Sequence, residues 1–429
     1  MNKKLNLFQR MMLGWRELYP YNAVHVAIVP QVFDRARLSG AIAQQLEFLG
    51  LTHFRLDRAR GRYEWQGGRQ EVELRVLAGD EPTTLLDAEI VRQLNAVFSA
   101  DGRIDPFRFF AVDAGSSFYL GLAYDHIVAG GDSIVRLLRE IVGRYRGEPA
   151  MPGAIDVTAA PSYGRLFLRQ GVALLRGLCS LPGIAASCRR SFRAEYTAIE
   201  DGRNEFVRLR LDPRQQEALV RAAKAWGVTQ NDMFMTILLK AVSPLADERR
   251  QHVSRGELAV ASIVNIRRDF GSEAQSAFVP LLASFRISHP VPDEIGLEEL
   301  ARSVHEESKR IRQGKLYLQT LLALGLAALE WRHLSERRQQ RLFAKHYPVW
   351  VGTTPLNAGL LWVGTGAAGV SAAPEYLRAV STGPLAPMIC AISTTDKAVN
   401  IGISYRTAAF DRSTVDGVVE RMLSYIKNL

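Results

Sequence analysis

Residues 118–146, FYLGLAYDHIVAGGDSIVRLLREIVGRYR, constrain the fold more than any other stretch. The apolar run 118–123 follows the turn signal Gly115-Ser116-Ser117 and predicts a buried strand. Ile134, Leu137, Leu138, Ile141, Val142 and Tyr145 then recur at i, i+3, i+4, i+7, i+8 and i+11, which predicts an amphipathic helix. Asp132 or Ser133 is the natural N-cap of that helix. Between the two elements lie Asp125, His126 and the turn Ala129-Gly130-Gly131. A histidine fixed at a strand end beside a Gly-Gly turn sits on a rigid element with room next to it, as a general base requires. The competing reading is a hydrogen-bonded structural histidine.

The rest of the chain alternates strand and helix patterns, which places it in the α/β class. Residues 22–30 predict a strand, and Asp34 caps a helix with Leu38, Ile42, Leu46 and Leu49 on one face. Strand-like pieces at 63–65 and 71–77, a helix over 85–98 and a hairpin over 109–126 complete a first half. Residues 206–211 alternate like a half-exposed strand. Asp212-Pro213 opens a helix that Gly227 stops, and 229–232 reads as a capping box for the next. Residues 258–266 and 280–288 predict strands, 294–325 helix, and 388–393 and 399–405 strands before a C-terminal helix.

The run Asp125-His126-Ile127-Val128-Ala129-Gly130-Gly131 resembles the His-His-x-x-x-Asp-Gly motif of the condensation-domain and chloramphenicol-acetyltransferase-like acyltransferases. His126 matches the second histidine and Gly131 the glycine. Asp125 replaces the first histidine, and Gly130 replaces the aspartate. Other pieces follow the family's order: 217–242 (EALVRAAKAWGVTQNDMFMTILLKAV), the strand 258–266 ending in Arg267-Arg268-Asp269, and 349–364, which resembles a strand-turn-strand lining the active-site tunnel. The resemblance implies two pseudo-equivalent lobes, each a mixed sheet flanked by helices, with the site in a tunnel between them. The first lobe would be 1–150, a linker with a basic helix 151–203, and the second lobe 204–429.

The same resemblance implies acyl transfer from a thioester, acyl-CoA or an acyl carrier protein, to a hydroxyl or amine of a small-molecule or lipid-like acceptor. His126 would be the base, and no tightly bound cofactor or metal is implied. In the family the motif aspartate pairs with an arginine delivered by the strand, here Arg267 or Arg268. With Gly130 in its place, a buried arginine needs another acid, and Asp132 is the nearest; its other role is the helix cap. Gly131, Asp132 and Arg267 are thus expected to support the site, and Thr354, Asn357 and Asp125 to contact substrate. Asp125 could also orient the imidazole, although neighbours along a strand point to opposite faces. A non-catalytic relative that binds a carrier protein or an acyl chain is the alternative function.

The net charge of +10 permits an acidic carrier protein or anionic lipid headgroups as partners. The basic residues are scattered and no nucleic-acid motif accompanies them, which argues against nucleic acid. In residues 149–202, six arginines (Arg165, Arg169, Arg176, Arg189, Arg190 and Arg193) punctuate an apolar helical run. It reads either as a linker helix packed on the core or as a membrane-surface helix. The apolar stretch 318–329 is too short to span a bilayer. Arg10, Arg16 and Glu17 interrupt the N-terminal apolar run, against a signal peptide. The expected setting is the cytoplasm, where Cys179, Cys188 and Cys390 serve as small buried hydrophobes. The GxGxxG match at 364–369 reads as a turn, because Pro374 falls inside the helix a dinucleotide site needs.

Overall fold

The computed structural model describes residues 2–99, 101–148, 153, 155–249, 255–290, 292–331, 333–363 and 373–429. The first half runs β1 (Asn2–Lys4), α1 (Leu7–Leu18), β2 (Asn22–Val29), α2 (Arg35–Leu49), β3 (Phe54–Asp57), β4 (Arg62–Trp65) and β5 (Leu74–Leu77). It continues with α3 (Pro82–Asn95), β6 (Gly102–Ile104), β7 (Phe107–Asp113), β8 (Phe118–Asp125) and α4 (Gly131–Arg146). Two helices, α5 (Tyr163–Arg169) and α6 (Gly171–Arg190), make the connection. The second half opens with β9 (Asn204–Leu211), α7 (Pro213–Trp226), α8 (Gln230–Val242), β10 (Leu258–Asn265), α9 (Arg267–Phe270) and β11 (Leu282–His289). Then come α10 (Leu297–Gln313), α11 (Gln319–Trp331), α12 (Glu336–His346), β12 (Val351–Asn357) and α13 (Ala358–Val363). The chain closes with β13 (Tyr376–Val380), β14 (Met388–Thr394), β15 (Val399–Arg406) and α14 (Arg412–Lys427).

Three sheets result. The first half carries a five-stranded mixed sheet in the order β13-β2-β8-β7-β5 and a small sheet β1-β4-β3-β6. The second half carries a six-stranded mixed sheet, β11-β10-β12-β14-β15-β9. One strand crosses over: β13 comes from the second half yet pairs antiparallel with β2, with Arg378 opposite His25. There it lies so close to β15 that a Cβ on Gly402 would stand 1.9 Å from the carbonyl oxygen of Arg378. Only a residue without a side chain permits this approach.

The five-stranded sheet is covered on both faces. Alternate residues of β2 and β8 form the sheet's two sides. Ala23, Ala27, Leu120 and Leu122 pack with α1, α2 and α4, while Val24, Val26 and Ala123 pack with Leu86, Ile90 and Leu94 of α3. The six-stranded sheet packs against α8 and α14 through residues such as Leu238, Leu239, Val415 and Met422. Local signals act where the sequence places them. Asp34 caps α2, accepting from Arg37 N at 3.0 Å. Capping boxes open α7 at Asp212 and α8 at Thr229, and Gly227 ends α7 in the left-handed region at φ 70°.

Several expectations are corrected. The helix after the Gly-Gly turn starts at Gly131 with Gly130 as its N-cap, so Asp132 and Ser133 lie in the first turn and do not cap it. Residues 349–364 do not form a strand-turn-strand: β12 leads into α13, because Asn357 Oδ1 accepts from Leu360 N at 2.9 Å and starts a helix. The N-terminal stretch forms α1, whose Met11, Met12 and Trp15 are core residues. Cys188 and Cys390 are buried, but Cys179 is exposed. Among the described residues one helix, α6, is long and apolar enough to cross a membrane, a length the reading of the sequence did not single out; the 318–329 segment is too short, as expected. The GxGxxG match at 364–369 lies outside the described residues.

Candidate active site

Period-two geometry gathers the site's polar residues onto one side of the five-stranded sheet. Position 25 on β2 faces position 122 on β8 and position 378 on β13. Counting by twos puts Tyr124, His126, Tyr376, Arg378 and, just before β2, Tyr21 on the same side as His25. The side chains meet as that count requires. Tyr21 stacks on the His126 ring with centroids 5.7 Å apart and 19° between planes, and Tyr124 meets it edge-on at 5.6 Å. His25 Nδ1 bonds the Tyr376 hydroxyl at 2.8 Å, and its Nε2 lies 3.5 Å from the Tyr124 hydroxyl.

His126 follows the last residue of β8, and 8 % of it is exposed. Its Nδ1 lies 3.2 Å from the carbonyl oxygen of Ala129. A carbonyl can only accept, so Nδ1 carries the proton and Nε2 holds the free lone pair. Burial lowers the imidazole's pKa below its ordinary value, and the nearby Arg378 guanidinium lowers it further. Hydrogen bonds from Nδ1–H to backbone carbonyls oppose that shift without reversing it. Near neutral pH the ring is therefore an uncharged acceptor.

The ring lines a cavity of about 1050 Å³ between the halves of the molecule. Phe8, Trp15 and Tyr21 of the first half form part of the wall. Leu181 and Ile184 of α6, Ile263 of β10, Phe285 and Ile287 of β11, and Leu324 of α11 supply a mostly apolar remainder. Thr353, Thr354, Ser381 and Thr382 contribute hydroxyls. These residues define one approach to His126, from the side of α6 and α11. The opposite mouth of the expected tunnel is not defined by them.

Arg267 sits under the loop that carries His126. Its guanidinium forms an ion pair with Asp132, both side chains being buried. Nη1 donates to the carbonyls of Ala274 (2.9 Å) and Ala277 (2.6 Å), and Nη2 to Ser133 Oγ and Val279 O, both at 2.8 Å. One side chain thus ties the loop after β10 to the first turn of α4, which holds His126's loop against the second half. Asp132 is turned towards Arg267, which explains why it does not cap α4. Gly131 is packed closely as well: a Cβ there would meet Leu356 Cδ1 at 3.1 Å and Arg378 Nη1 and His25 Cε1 at 3.4 Å.

The expected substrate contacts divide. Thr354 lines the cavity. Asn357 does not; it is exposed and starts α13. Asp125 does not either. Its carboxylate pairs with Arg16 of α1 and accepts from Ile127 N at 3.3 Å, so it neither contacts the cavity nor orients the imidazole. Burial raises its pKa, a shift that Arg16 opposes.

Sequence reasoning missed Tyr21, His25 and Arg378. Arg378 is buried, with no carboxylate in ion-pair range among the described residues. It donates from Nε to Ser393 Oγ (3.0 Å) and from Nη2 to the carbonyls of Thr354 and Ile392 (the latter 2.7 Å). These bonds join β13 to both β12 and β14. Burial lowers its pKa to about 10, so it remains a cation. Its signal was present: a lone charge within the apolar run YLRAV, like the lone histidine in NAVHVAIV.

No family model matches the chain, and no curated protein matches it by sequence. Solved structures do match in fold. The first condensation domain of the calcium-dependent antibiotic synthetase, in complex with a substrate analogue, superposes with a TM-score of 0.71 at 14% identity, covering 100% of this chain and 96% of that one. The cyclization-docking bidomain of the EpoB nonribosomal peptide synthetase from Sorangium cellulosum gives 0.70 at 12% identity, covering 100% and 85%. The epimerization domain from the third module of tyrocidine synthetase B gives 0.65 at 12% identity, covering 99% and 95%. Three different reactions are named on this one architecture, so the likeness speaks for fold and not for chemistry. The chain has the condensation-domain fold: two chloramphenicol-acetyltransferase-like lobes, with His126 beside the cavity between them.

Proposed function

We propose that the protein is an acyltransferase that moves an acyl group from a thioester, acyl-CoA or a carrier-protein conjugate, to a hydroxyl or amine acceptor. The observation that carries this reading is the held tautomer of His126. Nδ1–H is committed to Ala129 O, and the free Nε2 belongs to a ring that lines a cavity of about 1050 Å³. In the step, acceptor X–H attacks the thioester carbonyl carbon while Nε2 takes its proton. The tetrahedral intermediate then collapses, the C–S bond breaks, and the imidazolium returns the proton to the departing sulfur. Atoms and charge balance without a further reactant. The lowered pKa of His126 keeps the ring neutral before the attack. The apolar walls and the cavity's size suit a lipid-like acyl chain.

The test is transfer from a panel of acyl thioesters with the wild type and His126→Ala. The substitution should lower kcat/KM by about 10²–10⁴-fold, with thermal melting confirming a folded variant. Equal rates in both, or none in either across the panel, would instead favour a protein that binds a carrier or an acyl chain without reacting.

A further inference from the structure

α6 has a mean hydropathy of 1.4 over its apolar window, of which 11% is buried. It cannot span a bilayer in this fold, because it is fastened lengthwise. Leu174, Gly177 and Cys188 are buried, Ser180 Oγ donates to Gln319 Oε1 at 2.6 Å, and Ser187 Oγ donates to Glu257 at 2.7 Å. Its outer side is apolar all the same. Leu168 on α5 and Val172 and Leu175 on α6, spaced i, i+4 and i+7, are 86%, 65% and 64% exposed. The neighbouring α11 adds Leu326 and Leu329, 59% and 70% exposed. Isolated exposed leucines need no explanation, but a stripe along two adjacent helices does.

Along α5 and α6 the charge has one sign, while α11 carries one exposed acid, Glu330. No acidic residue occurs between Asp156 and Glu195, whereas six arginines do. Arg190 pairs with Glu257 at 2.6 Å, Arg165 lies 3.8 Å from Glu273, and Arg169 donates to Phe270 O at 3.0 Å. Arg176 and Arg189 are exposed and have no acidic partner among the described residues. Exposed leucines interleaved with arginines match the chemistry of an anionic bilayer: acyl chains for the former, phosphates for the latter. The same helices border the cavity, where Leu181 and Ile184 of α6 and Ala323 and Leu326 of α11 line it.

We propose that α5, α6 and α11 form a docking surface for an anionic lipid bilayer. The helices lie flat on the interface, and the space between α6 and α11 gives an apolar molecule a path from the bilayer to the cavity. An acidic protein would match the arginines but leaves the exposed leucines unexplained, so the bilayer is the better fit. This docking stands or falls separately from the transfer reaction.

Flotation of the full chain with vesicles tests it. The wild type should float with vesicles of phosphatidylcholine and phosphatidylglycerol at low salt, poorly with phosphatidylcholine alone, and less as salt rises. Arg176→Gln should weaken binding about fivefold. Combined replacement Leu168→Glu, Val172→Glu and Leu175→Glu, at positions that do not line the cavity, should abolish it while circular dichroism shows an unchanged melting curve. Wild type that stays in solution with anionic vesicles overturns the proposal, even if it binds an acidic carrier protein. So does a folded triple variant that floats as well as wild type.

Discussion

At the scale of single residues, Gly130 and Asp132 lie at the same buried arginine, Arg267. A Cβ on Gly130 would stand 3.0 Å from Asp132 Oδ1 and 3.8 Å from Arg267 Nη2, so a side chain at 130 would point at the same ion pair. Asp132, two residues beyond Gly130, is the acid that pairs with Arg267. Removing one member of a buried pair leaves the other uncompensated, which costs about 3–5 kcal/mol. Asp132→Asn should therefore destabilise the protein by an amount in that range in chemical denaturation. Adding Gly130→Asp to Asp132→Asn should restore much of the loss, because the new carboxylate reaches the same guanidinium. A double variant no more stable than the single one would show that position 130 cannot serve this arginine.

At the scale of elements, the lobe junction depends on β13 reaching across to β2. Gly402 is the position that admits it, and its backbone needs no unusual φ, so the constraint is steric alone. Gly402→Ala should cost about 3 kcal/mol or more, since the obstructing atom is a backbone oxygen that no rotamer change can move. Gly40, inside α2 with open space around it, is the internal control. Gly40→Ala should stabilise by about 0.5–1 kcal/mol in the same denaturation experiment. Most strands and helices were legible because their signals are local: alternation in β9, the capping boxes of α7 and α8, the apolar stripe of α4. β13 was not legible, since nothing in YLRAV says which sheet it joins; the pairing is set by Gly402 and by Arg378's bonds to β12 and β14. Asn357 misled for the opposite reason. Its residue type fits both a substrate contact and a helix start, and only the Leu360 amide behind it decides.

At the scale of the whole molecule, the site imposes a pH dependence on folding. His25 and His126 are both buried and both hold pKa values below that of free imidazole, His25 well below. For each, desolvation is the largest cause and the Arg378 cation adds to it; at His25 the neighbouring His126 lowers the value further. Tyr124 and Tyr376 face them with neutral hydroxyls, their own pKa values raised by burial. The sign follows from proton counting. Below about pH 6.5 the unfolded chain binds protons on these histidines that the folded chain refuses, so stability falls as pH falls. The slope approaches about 1.4 kcal/mol per pH unit for each ring, until its folded pKa is reached. His289 and His346 shift in the same direction but lie nearer solvent and contribute less. Asp125 works the other way: its raised pKa favours the folded state as pH falls towards the carboxylate range. Denaturation midpoints measured from about pH 7.5 to 5.5 should therefore decline on the acid side, and the double variant His25→Gln, His126→Gln should flatten most of that decline. A wild type equally stable across the range would mean that the two rings take up protons in place at their ordinary pKa, and the lowered value that burial imposes on His126 would be refuted.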